Sequence, residues 1–153
     1  MRGLLLIFSF LSIVFSKDIT SGGKLSKNQL GVDVRHYDIR LKVDPKRKII
    51  SGHVNIKIKI IDEVRFIELD LLNQYFISKV MIDSVTTPFK HRDNTIFIKP
   101  QNLEINSTIL VTVEYKGKPP IAENPPWDGG FAAIGGFPLY CTVTKTVELI
   151  SIS

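Results

Sequence analysis

The chain has 153 residues, 44% of them hydrophobic, which is enough for one domain with its own core and short of two. Lys and Arg number 20 against 15 Asp and Glu, a formal net charge of +5 that is spread along the chain. The only basic run, Lys46-Arg47-Lys48, sits beside Pro45 and reads as a solvated turn, so the clustered basic and aromatic surface of a nucleic-acid binder is missing. Cys141 is the only cysteine, which excludes a disulfide within the chain and a cysteine-rich zinc site.

Residues 1 to 16 have the layout of a secretory signal. Arg2 supplies the positive start, Leu4 to Phe15 the apolar stretch, and Val14-Phe15-Ser16 a cleavage site with small residues at its first and third places. The apolar run is too short to cross a hydrocarbon core of ~30 Å as a helix. The expected location is therefore outside the cytoplasm, secreted or in the periplasm and cell envelope, with no integral membrane span after cleavage. Removing this segment takes away Arg2 alone among the charged residues and leaves 19 basic against 15 acidic side chains.

Residues 17 to 33, Ser/Gly/Lys-rich with Gly22-Gly23, read as a flexible leader. From Tyr37 the pattern alternates. Tyr37, Ile39, Leu41 and Val43 fall on one face, and Asp38, Arg40 and Lys42 on the other. A period of two marks a strand with one face buried. Asp44-Pro45 marks a turn. Val54, Ile56, Ile58 and Ile60 then alternate with Asn55, Lys57 and Lys59, and Ile67, Leu69 and Leu71 with Glu68 and Asp70. Phe76 to Ile82 is a further apolar run. Asp93-Asn94, two residues that tolerate positive φ, separates Phe89–Arg92 from Thr95–Ile98 as a tight hairpin. Ile109, Val111, Val113 and Tyr115 close the series.

Composition agrees with strands. There are 21 Ile, 12 Val and 9 Thr, and only three Ala, all beyond residue 120. β-branched side chains lose rotamer freedom in a helix and pack well on a pleated surface. The expected fold is an all-β sandwich over residues 34 to 116, with Tyr37, Ile39, Leu41, Ile56, Ile58, Leu69 and Val111 inside.

The residues after 116 change character. Pro119-Pro120 and Pro125-Pro126 block helix, Trp127-Asp128-Gly129-Gly130-Phe131 follows, and residues 139 to 150 look strand-like. With Trp127 and Phe131 lacking a partner within the chain, this tail is expected either to lack order or to add a strand to the sandwich edge, and to promote self-association.

Chemistry is sparse. A helical zinc hydrolase needs two His one turn apart with a Glu between them, and no H-E-x-x-H occurs. His36, His53 and His91 are far apart and lie in strand-like segments. There is no G-x-S-x-G, and Cys141 sits in an apolar stretch where a structural role is expected. Glu68 and Asp70 share a strand face roughly 7 Å apart, a spacing that suits a glycosidase pair and that alternating strands also produce routinely. The glycine pairs match no phosphate-binding loop. Asn106-Ser107-Thr108 matches the glycosylation sequon. The sequence therefore predicts no catalytic residue, no cofactor-binding residue and no metal ligand.

Three segments carry a resemblance. His36-Tyr37-Asp38-Ile39-Arg40-Leu41-Lys42-Val43-Asp44 with Ile50-Ser51-Gly52, Ile67-Glu68-Leu69-Asp70, and Asn124-Pro125-Pro126-Trp127-Asp128-Gly129-Gly130-Phe131 together resemble the N-terminal domain of the aminopeptidase N family of zinc metallopeptidases, of the bacterial type. The resemblance covers residues 34 to 131 and departs after Phe131, leaving 132 to 153 as a divergent tail. It implies a β-rich, saddle-shaped, non-catalytic domain that packs against a separate catalytic domain and helps frame a peptide substrate. Zinc is implied only for that catalytic domain, whose H-E-x-x-H and G-x-M-E-N motifs do not occur in this sequence. The family's Gln near the peptide's free amine has no counterpart here. A truncated or frameshifted product is one expectation, a short paralogue another, and a free-standing secreted β-sandwich binding module the alternative function.

Overall fold

The computed structural model describes residues 25 to 121 in full and the strand backbone of 130 to 134 and 137 to 141. The expected signal sequence, Trp127 and the last twelve residues lie outside the described residues.

Among the described residues, ten strands follow one short helix. In chain order they are α1 (Lys27–Leu30), β1 (Val32–Asp44), β2 (Ile49–Ile60), β3 (Ile67–Asp70), β4 (Tyr75–Ile82), β5 (Val85–Thr86), β6 (Phe89–Arg92), β7 (Thr95–Ile98), β8 (Thr108–Gly117), β9 (Gly130–Ile134) and β10 (Phe137–Cys141). Every pairing is antiparallel. A five-stranded sheet has the order β1-β2-β8-β4-β5, and a three-stranded sheet has the order β3-β7-β6. The fold is the expected all-β sandwich.

The alternation explains the core. On β2, Val54, Ile56, Ile58 and Ile60 point inward and are buried, as do Ile109, Val111, Val113 and Tyr115 on β8. Ile67 and Leu69 of β3 and Ile96 and Ile98 of β7 close the core from the small sheet. Tyr75 and Tyr115 meet edge to face with ring centroids 5.9 Å apart, a geometry that sets the positive edge of one ring against the negative face of the other. Gly117 lies across from Tyr75 in the β4–β8 register, and a Cβ there would stand 2.5 Å from Tyr75 Cδ1, so glycine is what admits the ring.

Two bulges interrupt the period. The β1–β2 register shifts between Val34 and His36, and the β4–β8 register shifts between Ile77 and Lys79. The second moves the buried positions of β4 from Tyr75 and Ile77 to Val80. Such an extra residue switches the face of everything beyond it. Ser78 occupies the shift, and its hydroxyl donates to the Glu114 carbonyl at 3.2 Å.

The turns use the residues expected of them. Asp93 and Asn94 both have positive φ, 52° and 59°, in the two-residue loop between β6 and β7. That is the backbone of a hairpin turn matched to strand twist. Lys48 takes φ 53° at the end of the β1–β2 turn, and the Asp44 carboxylate accepts from the Arg47 amide at 3.0 Å.

One expectation is corrected. Ile39 and Leu41 were expected inside with Tyr37, but they are 43% and 42% exposed, Val43 on the same face is 41% exposed, and Tyr37 is half-buried. The alternation is real, yet β1 is the edge strand, and the three-stranded sheet covers the middle of the larger sheet more fully than its border. Within residues 17 to 33, which read as a flexible leader, Lys27–Leu30 form a helical turn, and 17 to 24 lie outside the described residues. Of the tail, Phe137–Cys141 pairs with Gly130–Ile134 in a two-stranded sheet, and residues 122 to 129, 135 to 136 and 142 to 153, with most of the expected strand 139 to 150, lie outside the described residues.

Candidate functional site

The carboxylate pair comes first. Glu68 and Asp70 lie on β3, on the face opposite the buried Ile67 and Leu69. Glu68 is engaged by the segment before β1. Its Oε2 accepts from Ser26 Oγ at 2.6 Å, and its Oε1 accepts from Asn28 Nδ2. Ser26 is also the N-cap of α1. Its hydroxyl accepts from the Gln29 amide at 3.1 Å while Gln29 Oε1 accepts from the Ser26 amide at 2.8 Å, a reciprocal capping box. Asn28 Oδ1 in turn accepts from the Arg65 amide at 3.0 Å. Glu68 thus anchors the entry of the chain to the small sheet.

The histidines do not converge. His36 and His53 are on β1 and β2 of the large sheet, where His36 faces Lys57 and His53 faces Arg40 across the ladder. His91 is on β6 of the small sheet, and its Nε2 lies 2.8 Å from the Leu71 carbonyl oxygen. Among the described residues, no three His, Cys, Asp or Glu side chains are grouped so as to hold a metal ion. Among them, too, no helix is long and apolar enough to cross a membrane.

The outer face of the large sheet carries a polar relay across three strands. Thr112 Oγ1 on β8 donates to Asn55 Oδ1 on β2 at 2.7 Å, and Asn55 Nδ2 donates to Asp38 Oδ2 on β1 at 3.4 Å. Arg40, two residues along β1, approaches the same carboxylate, with Nη2 at 3.3 Å from Oδ2. The Arg40 hydrogen bond holds the Asp38 carboxyl below its ordinary value, with Arg40's charge, Asn55 and His53 acting in the same direction. The opposite face of β1 carries the apolar row Ile39, Leu41 and Val43. One border strand therefore offers solvent an ionic row on one side and an aliphatic row on the other, beside a backbone edge that pairs with no described strand.

The segment with the strongest sequence signature, residues 124 to 131, falls on the boundary of what is described. Its last two residues, Gly130 and Phe131, open β9.

No protein-family model matches the sequence, and no curated protein matches it. Solved structures do. A two-domain M1 zinc metallopeptidase variant bound to L-arginine aligns with TM-score 0.57 and 25% identity, over 69% of this chain and 25% of that one. An M1 zinc metallopeptidase from Deinococcus radiodurans aligns with TM-score 0.56 and 24% identity, over 67% of this chain and 24% of that one. Yeast LTA4 hydrolase aligns with TM-score 0.50 and 19% identity, over 71% of this chain and 18% of that one.

The fold is that of the N-terminal domain of the M1 zinc metallopeptidases. This chain spans about a quarter of the length of the M1 structures from which the first two alignments come. Within the M1-type fold the opening motif, His36 to Gly52, forms the β1–β2 hairpin, and Ile67-Glu68-Leu69-Asp70 is β3 in its entirety. Strand alternation puts Glu68 on a solvent face and does not show its partners Ser26 and Asn28. The signal was present in Ser26-Lys27-Asn28-Gln29, whose Ser-x-x-Gln spacing is that of a capping box.

Proposed function

We propose that this chain is the non-catalytic N-terminal β domain of an M1-type zinc aminopeptidase. In the complete enzyme the domain supports the catalytic domain and helps frame the peptide's N-terminal end. Zinc and the hydrolytic groups belong to the catalytic domain. The chain is exported through residues 1 to 16.

The observation that carries this reading is the coincidence of two lines of argument. The fold aligns with M1 metallopeptidases over 69% of the chain, and the motifs quoted from the sequence form strands inside that fold. The chemistry of the described side chains is consistent with it. Glu68 is occupied in anchoring α1, and the His residues are spread over two sheets.

The test is to read the DNA downstream of the coding sequence. The reading predicts that the DNA there encodes G-x-M-E-N followed by H-E-x-x-H, in this frame or another. An intact stop followed by an unrelated gene would count against it.

A further inference from the structure

We infer that two copies of this chain associate by pairing their β1 edges antiparallel about a two-fold axis at Ile39, so that Asp38 of each strand meets Arg40 of the other.

The argument starts from the exposed edge. β1 is thirteen residues long and is the border of the five-stranded sheet, and among the described residues no strand pairs with its outer side. An unpaired edge of this length is a template for a further strand. Its shielding is weak. Pro45 stands just beyond the end of the strand, and the bulge between Val34 and His36 lies near its start, so residues 36 to 44 form an uninterrupted edge.

The sequence then selects the occupant. A two-fold axis perpendicular to the sheet keeps each face on its own side, so residues of like parity meet across the new ladder. With the axis at Ile39, Ile39 faces Ile39 and Tyr37 faces Leu41 on the aliphatic side. On the polar side Asp38 faces Arg40 twice, and His36 faces Lys42. Moving the axis by one residue loses this match. Centred on Asp38, the two Asp38 carboxylates oppose each other; centred on Arg40, Asp38 faces Lys42 but the two guanidinium groups oppose each other at the axis. Centred on Leu41, Arg40 faces Lys42 and Asp38 faces Asp44. Directly opposed like charges are destabilising and opposite charges favourable. Among these, only the Ile39 register aligns opposite charges with the aliphatic row and leaves no carboxylate facing a carboxylate and no guanidinium facing a guanidinium or a lysine.

The side chains are available for it. Those of Arg40 and Asp38 are 69% and 38% exposed. Ile39 and Leu41, left partly uncovered within one chain, would form with their symmetry mates a continuous apolar strip across the two-fold axis. The association is isologous and closes at two copies.

The test is sedimentation velocity on the full chain and its variants across a concentration range. The wild type is expected to dimerise. Arg40→Asp or Asp38→Arg alone is expected to weaken the dimer about tenfold or more, because each places two like-charged pairs at the axis. The double variant Asp38→Arg with Arg40→Asp is expected to recover the affinity, since it restores opposite charges across the axis and within each strand. In a Cys141→Ser background, Ile39→Cys is expected to form a disulfide-linked dimer under mild oxidation. A chain that stays monomeric at every concentration overturns the inference. So does a dimer of equal affinity in all the charge variants, or one abolished by ending the chain at Gly117 and untouched by changes on β1, which would assign association to the tail.

Discussion

Replacing Glu68 with Ala separates a structural anchor from a catalytic carboxylate. Glu68 accepts two hydrogen bonds, from Ser26 Oγ at 2.6 Å and from Asn28 Nδ2. A hydrogen bond to a charged group contributes about 1.5–3 kcal/mol net, with partly solvated examples at the low end. The site is part-buried, and water replaces some of what is lost, so the expected destabilisation is about 1.5–3 kcal/mol for the pair together. With a urea slope of roughly 1–3 kcal/mol per molar, the midpoint falls by about 1 M. The slope itself should hold, because the core is untouched. Glu68→Gln retains one acceptor oxygen and is expected to cost about half as much. Hydrogen exchange supplies the second readout, since loss of the anchor should raise exchange at the Gln29, Leu30 and Gly31 amides selectively. An unchanged midpoint in Glu68→Ala, or unchanged protection of those amides, would refute the anchoring role.

Three further predictions follow from the same geometry. Ile58→Ala empties a fully buried position and is expected to cost about 2–5 kcal/mol, whereas Leu41→Ala on the open border of the sheet should cost about 1 kcal/mol or less, as chemical denaturation will show. Burial pushes the Tyr115 hydroxyl up to about 12. A folded value raised above the unfolded one means that its contribution is intact below about pH 10 and is lost as pH rises from there towards 12; Tyr115→Phe should flatten that alkaline limb of the stability profile. Elemental analysis of the purified chain is expected to find no stoichiometric zinc, and chromogenic substrates no release of N-terminal amino acids. One equivalent of zinc, removed by a chelator together with peptidase activity, would reverse that expectation.

Much of the sandwich is legible in the alternation. Ile56, Ile58, Leu69 and Val111 sit where their parity places them, and Asp93-Asn94 makes the two-residue turn that its chemistry favours. Strand order and coverage are less legible, because periodicity says which side chains share a face and nothing about what lies over that face. Ile39 and Leu41 have the same pattern as Ile56 and Ile58, and they differ only in belonging to the border strand. The β4 bulge hides a period in another way. An extra residue at Ser78 turns a clean alternation into what reads as a plain apolar run. For the candidate site, sequence spacing puts Glu68 and Asp70 on one face correctly. It is silent on the hydrogen bonds from Ser26 and Asn28, some forty positions upstream, which give Glu68 its role.

The strand order also sets a timetable for synthesis. β2 is bonded on one side by β1, which precedes it across a short turn, and on the other by β8, which begins 48 positions after Ile60. A hairpin closes in roughly 1–10 μs, while a ribosome adds about 5–20 residues per second. The β1–β2 ribbon therefore exists for roughly 2–10 s before β8 is made, with the row Val54, Ile56, Ile58 and Ile60 open to any passing strand. Lys57 and Lys59 alternate with that row, and their charges disfavour close stacking of one nascent ribbon on another. The segment most central to the finished sheet is thus the one left longest without its second neighbour while the chain is being made.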